Sequence, residues 1–188
     1  MQLANNQQQE QVDPYAGWKT LQGSFGYTIK YPEGFFTKLE MCKGGYDGKT
    51  EGYDIVVNAP IKVSCAQDTI GPVEVDIYRI VNTEEKSIDQ IYQEQQNNVN
   101  NLKQNFPNDY GETTVLKVNL SNVQGVRSIF VSKGSGGMGR YDIHTYIIKN
   151  NYIYILRGDS FSAASGSETL KGYKDALIKI EDTFKFTK

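Results

Sequence analysis

His144 is the only histidine in a chain of 188 residues, and so the only conventional general base near neutral pH. Two strand-like runs, Arg140–Lys149 and Tyr152–Arg157, flank Asn150-Asn151, residues that tolerate the positive φ of a tight hairpin turn. That turn sets Ile148 against Ile153, Tyr146 against Ile155, and His144 against Arg157. Asp142, His144, Arg157 and Asp159 then gather at one end of one sheet face. An Asp/His pair on a strand can orient a base, but no nucleophile belongs to the set. The residue types therefore favour ion pairs at the sheet end over catalysis, with a ligand-binding cluster as the functional alternative.

Three further groups could do chemistry. Asp47, Glu51 and Asp54 are spaced a little like the ligands of a calcium loop, so a loose cation site is one reading. The D-x-[DN]-x-[DN]-G pattern is not met and Lys49 would occupy a ligand position, which favours a solvated loop. Cys42 and Cys65 would, if oxidised, close a loop around a Gly-rich excursion, worth about 3 kcal/mol in the chain-entropy picture. If reduced, they are small buried hydrophobes. Neither is a convincing nucleophile, with one histidine in the chain and no motif around either. The run Lys133-Gly134-Ser135-Gly136-Gly137-Met138-Gly139-Arg140 lacks the Gly-Lys-Ser/Thr that leads into a helix in phosphate loops. It reads as a hairpin connection, and no cofactor is implied.

Composition narrows the classes. With 20 Lys+Arg against 22 Asp+Glu, the net charge is −2, which lacks the basic excess of a nucleic-acid binder. One histidine and two cysteines cannot build a zinc finger or a His-rich metal centre. No apolar run approaches the roughly 20 residues of a membrane-spanning helix. The length suits one domain with a sizeable core.

The elements that must position these residues follow from periodicity. Residues 1–14, dominated by amides, read as a flexible polar linker, and residues 15–188 as a single domain. Residues 25–32 alternate as a half-buried strand that Pro32 ends. A short strand at 34–39 and strands at 54–58, 61–65 and 73–81 follow. Ile88, Ile91, Tyr92, Val99, Leu102 and Phe106 then fall on one helical stripe, with Ser87 and Gln90 as a capping box and Pro107 at the exit. Strands at 113–120 and 123–132 precede the hairpin, and a last helix begins at Ser167 with Leu170, Tyr173, Leu177 and Ile180 inward. Both faces of the hairpin are apolar, so the sheet must be covered on each side. The fold class expected is α+β, a central antiparallel sheet packed between helical layers as an α/β/α sandwich.

Two stretches carry a resemblance. Trp18-Lys19-Thr20, followed by Phe25-Gly26-Tyr27-Thr28-Ile29-Lys30-Tyr31-Pro32, resembles the opening of PsbP-like domains. The tyrosine-rich hairpin from Tyr146 to Tyr154, the helix with Tyr173 and Leu177, and the closing Thr183-Phe184-Lys185-Phe186 are similar to their end. The likeness covers residues 15–188. It implies the same antiparallel sheet between helical layers and no general catalytic motif. Bacterial members include lipoproteins with a signal peptide, a lipid-anchored cysteine, a polar linker and then the domain. This chain resembles one of these with its anchor missing, and residues 1–14 would be the linker. The implied compartment is extracytoplasmic, which favours a Cys42–Cys65 disulfide.

The reading is thus a non-catalytic, extracytoplasmic binding or assembly domain of a PsbP-like surface lipoprotein, with a protein or cell-envelope partner. A small-ligand or cation-binding module is the alternative, and an enzyme of unknown class the third.

Overall fold

In a computed structural model, residues 13–41, 51–58, 72–132, 139–161 and 167–187 are described. Residues 1–12, most of the Gly-rich excursion with Asp47, Cys42 and Cys65, the expected strand at 61–65, and most of the 133–140 run lie outside them. Five strands come first: β1 (Lys19–Gly23), β2 (Tyr27–Tyr31), β3 (Phe36–Met41), β4 (Tyr53–Val57) and β5 (Val73–Val81). Helix α1 (Ile88–Asn105) leads to β6 (Thr114–Leu120), β7 (Val123–Ser132), β8 (Arg140–Lys149) and β9 (Tyr152–Phe161). Helix α2 (Ser167–Asp182) and a two-residue β10 (Lys185–Phe186) close the chain.

Seven strands form the main sheet in the order β3-β4-β5-β9-β8-β7-β6, antiparallel at every pairing. Helix α1 lies across β6, β7 and β8 on one face, and α2 packs on β9, β5 and β8 on the other. The α+β class and the sheet between helical layers stand as expected. The α2 layer holds more than a helix, because β1, β2 and β10 form a separate three-stranded sheet there. Strand β1 was not legible, since Leu21 is the only apolar side chain in KTLQG and one residue makes no alternation.

Two cores result, one per face. Beneath α2, Val75, Ile77, Ile143, Ile147 and Leu156 meet Tyr27, Ile29, Leu177, Ile180 and Phe184. Beneath α1, Ile91 and Val99 meet Val115, Val126, Phe130, Ile153 and Ile155. The cap of α1 forms as its sequence requires: Ser87 Oγ accepts from Gln90 N while the Gln90 side chain accepts from Ser87 N. The far end of that stripe differs. Phe106 ends the helix as its C-cap and is 49% exposed, whereas Gln95 is buried. The helix stops before Phe106 can reach the sheet.

Candidate functional site

The β8–β9 hairpin has the expected register. Asn150 and Asn151 both take positive φ (51° and 60°), so His144 pairs with Arg157 and Asp142 with Asp159. The next strand continues the rows, with Asp76 opposite Arg157 and Glu74 opposite Asp159. Asp142, His144, Arg157 and Asp159 are therefore brought together, and the structure adds Glu74, Asp76 and Arg140 to them.

The charges are knitted to one another. Arg140 Nε lies 2.8 Å from Asp142 Oδ1 and its Nη2 3.0 Å from Asp159 Oδ1, while Arg157 Nη2 lies 2.9 Å from Asp159 Oδ2. Exposure falls from rim to floor: the Arg140 side chain is 40% exposed, Asp142 22% and Asp159 20%, whereas Asp76 is 1% exposed. Among the described residues, neither Asp76 oxygen meets a hydrogen-bond donor. Burial pushes Asp76 up to about 7, with Arg157 opposing and Asp159 reinforcing the shift. Asp142 is likewise pushed up to about 7, by burial and then by its hydrogen bond and repulsion with Asp159. Asp159 moves down, because the hydrogen bond from Asp142 and the two guanidiniums outweigh its own burial.

His144 is a weak base in this setting. Burial lowers it to about 4, so its conjugate acid is too strong to be formed at neutral pH. Its ring is tilted on Phe130 with centroids 6.0 Å apart, and Nδ1 lies 3.5 Å from the Tyr146 hydroxyl. Across the strand pair stands Ser128. It is fully buried and donates to the His144 main-chain oxygen at 3.5 Å instead of to the ring.

No protein-family model and no curated protein sequence matches the chain. Solved structures do. Cyanobacterial PsbP (CyanoP) from Synechocystis superposes with a TM-score of 0.58 at 10% identity, covering 94% of this chain and 95% of that one. LpqN of Mycobacterium tuberculosis, described as involved in cell envelope biogenesis, gives 0.54 at 11% identity, with 91% of each chain covered. The Ran-binding protein Mog1p of Saccharomyces cerevisiae gives 0.51 at 8% identity, with 90% of this chain and 95% of that one covered.

The fold is that of PsbP-like domains.

Within this PsbP-like fold the cation reading of the 47–54 segment finds its described members engaged elsewhere. Asp54 is fully buried in β4 and accepts from Ser24 N and Oγ at 2.7 Å and from the Tyr27 hydroxyl at 2.6 Å. Glu51 pairs with Arg79 at 2.7 Å. Among the described residues no group of three or more His, Cys, Asp or Glu is placed to hold a metal ion. A hollow of about 430 Å³ beside the start of α1 is lined by Glu84, Lys86, Glu94 and neighbouring amides. Lys86 is already paired there with Glu84 and Glu94, at 3.1 and 2.9 Å.

Other buried polar residues went unread. Arg127 on β7 and Glu181 on α2 meet at 3.1 Å in the core under α2, with Thr145 donating to Glu181 at 2.6 Å and Asp182 2.8 Å from Arg127 Nη2. The signal for Arg127 was its place between Gly125 and Ile129 on an inward row. Glu181 sits four residues after Leu177, on its helical face. Asp76 was not singled out, because alternation separates faces without saying which are covered.

Proposed function

We propose that the chain is a non-catalytic binding and assembly domain that works outside the cytoplasmic membrane and engages a protein or envelope partner. The observation that carries this reading is the state of its best polar cluster. Two of its carboxylates, Asp142 and Asp159, are bound to its two guanidiniums, its single histidine is held neutral in an apolar setting, and the serine opposite that histidine is turned away. A cleft built for turnover would leave a nucleophile or base free to reach substrate. The shared fold supports the same style of action, since a Ran-binding protein and an envelope-biogenesis protein are among those with similar structures. Among the described residues no helix is long and apolar enough to cross a membrane, and attachment through a lipid anchor ahead of the linker is part of the proposal.

The test is affinity capture from an envelope fraction of the source organism, followed by titration of the purified candidate partner against the purified chain. One protein retained in near-stoichiometric amount, with saturable binding on titration, supports the reading. No retained protein, together with a saturable thermal shift from a small ligand or cation, overturns it. A ligand at 100 times its Kd stabilises a fold by about 2.7 kcal/mol, which such a screen reads easily.

A further inference from the structure

The main sheet ends on β3 at one margin and on β6 at the other, and the two margins differ. On β3 the pairing with β4 slips between Lys38 and Met41, a bulge of the kind that blunts an edge against further strands. On β6 every residue from Thr114 to Leu120 stays in register with β7, and no proline interrupts the strand. Ser121 and Asn122 both take positive φ (53° and 62°). They form the two-residue turn that closes a hairpin on a hydrogen-bonded pair, here Leu120 with Val123. Such pairs alternate along an antiparallel ladder. Leu120, Val118, Leu116 and Thr114 therefore turn their main-chain groups toward β7, and Val115, Lys117 and Asn119 turn theirs outward. Among the described residues no main-chain bond outside the β7 ladder reaches β6.

The side chains sort the same strand by face. Leu116 and Val118 are half-buried against the core on the α2 side, whereas Lys117 and Asn119 lie exposed on the α1 side. A lysine can guard an edge against pairing, but Lys117, the only charged residue on the strand, is bound to Asp89 of α1 at 2.6 Å. A strand added here must carry apolar residues on the α2 side and polar ones on the α1 side.

Strand β6 itself has that pattern. Two copies laid antiparallel about a two-fold axis through Val118 set Val118 against Val118, Leu116 against Leu120, and Lys117 against Asn119. The last pair joins residues whose main-chain groups both point outward, so the two exchange their N–H···O bonds. An axis through Lys117 would instead place two ammoniums directly opposite, which repels. We propose that the outer edge of β6 is a self-association site, where a second copy of this chain docks antiparallel about Val118 and joins two seven-stranded sheets into one.

The experiment is sedimentation velocity on the full chain from about 1 μM to about 1 mM, the span of moderate to weak affinities, beside residue-resolved hydrogen exchange at both ends of that range. The proposal requires a monomer–dimer equilibrium in which the amides of Lys117 and Asn119 gain protection with association, while those of Leu116 and Val118 are protected throughout. Asn119→Lys, at an exposed position, sets an ammonium opposite Lys117 of the other copy and should weaken the dimer about fivefold or more, whereas Asn119→Glu should tighten it. A chain that stays monomeric across the range overturns the proposal. So does a dimer in which Lys117 and Asn119 gain no protection, or one indifferent to both Asn119 variants. The exchange pattern of the native chain decides the question even where a variant fails to fold.

Discussion

Arg127 and Glu181 meet in the core beneath α2, 5% and 0% exposed at the side chain. Such a pair resists removal of one partner more than it stabilises the whole, because desolvation consumes much of the attraction. Burial raises Glu181 against the pull of Arg127 and Thr145. Arg127→Met alone should therefore cost about 3–5 kcal/mol, leaving a buried carboxylate unanswered. Arg127→Met with Glu181→Leu should recover most of that loss, as read by urea denaturation in a double-mutant cycle. Additive losses would show that the two groups do not act as a pair. A second residue-scale device joins the sheets: the Tyr27 ring crosses its strand partner Gly23, where a Cβ would collide with it, and its hydroxyl reaches Asp54. Gly23→Ala is expected to displace that ring and release Asp54 from Tyr27, seen as loss of protection in β1 and β2 before global unfolding.

At the scale of elements, the β8–β9 hairpin decides whether the polar cluster exists. Its turn needs two residues at positive φ, which asparagine accepts and β-branched residues do not. Asn151→Gly should hold stability within about 1 kcal/mol, whereas Asn151→Val should cost about 1–2 kcal/mol in thermal unfolding. A slip of one residue would send His144 and Arg157 to opposite faces. The α2 docking depends on a different detail. A Cβ on Gly158 would lie 3.1 Å from both Leu177 Cδ2 and Glu181 Oε1, so the bare backbone of β9 is what lets the helix sit down. Gly158→Ala should cost about 1–3 kcal/mol by overpacking, and a variant as stable as the native chain would show that α2 can shift freely.

For the whole molecule, the buried acids set the response to pH. Asp76 and Asp142 release protons near 7 in the folded chain against 3.8 for ordinary aspartates, and Glu181 shifts in the same direction. Between those limits the folded chain binds more protons than the unfolded one, so stability falls as pH rises. His144, lowered from 6.5 to about 4, acts the other way: between those values the unfolded chain takes the extra proton and stability rises with pH. Three groups against one leave a net loss, and above 6.5 the histidine no longer offsets it. Tm should be lower at pH 8 than at pH 5 by about 5 °C or more, given that 1 kcal/mol moves a chain of this length by about 2–4 °C. A Tm that rises from pH 5 to pH 8 would contradict the buried-acid account.

The sequence by itself determined the elements whose signal is local. The period of α1, its Ser87–Gln90 cap, the alternation of β5 and the two-asparagine turn each depend on residues within a few positions of one another, and the register that aligns Asp142 with Asp159 followed from that turn alone. The two-faced apolar hairpin even required a covered sheet. What only the tertiary structure decided was which polar residues those layers enclose. Asp76, Asp54, Arg127 and Glu181 sit at positions that local pattern reads as solvent-facing or leaves undecided. Their burial depends on β4, the small sheet and α2 arriving from distant parts of the chain. Phe106 shows the converse, an apolar residue on the right stripe left in water because its helix ends one residue too soon. Periodicity specifies a face; only packing specifies what that face meets.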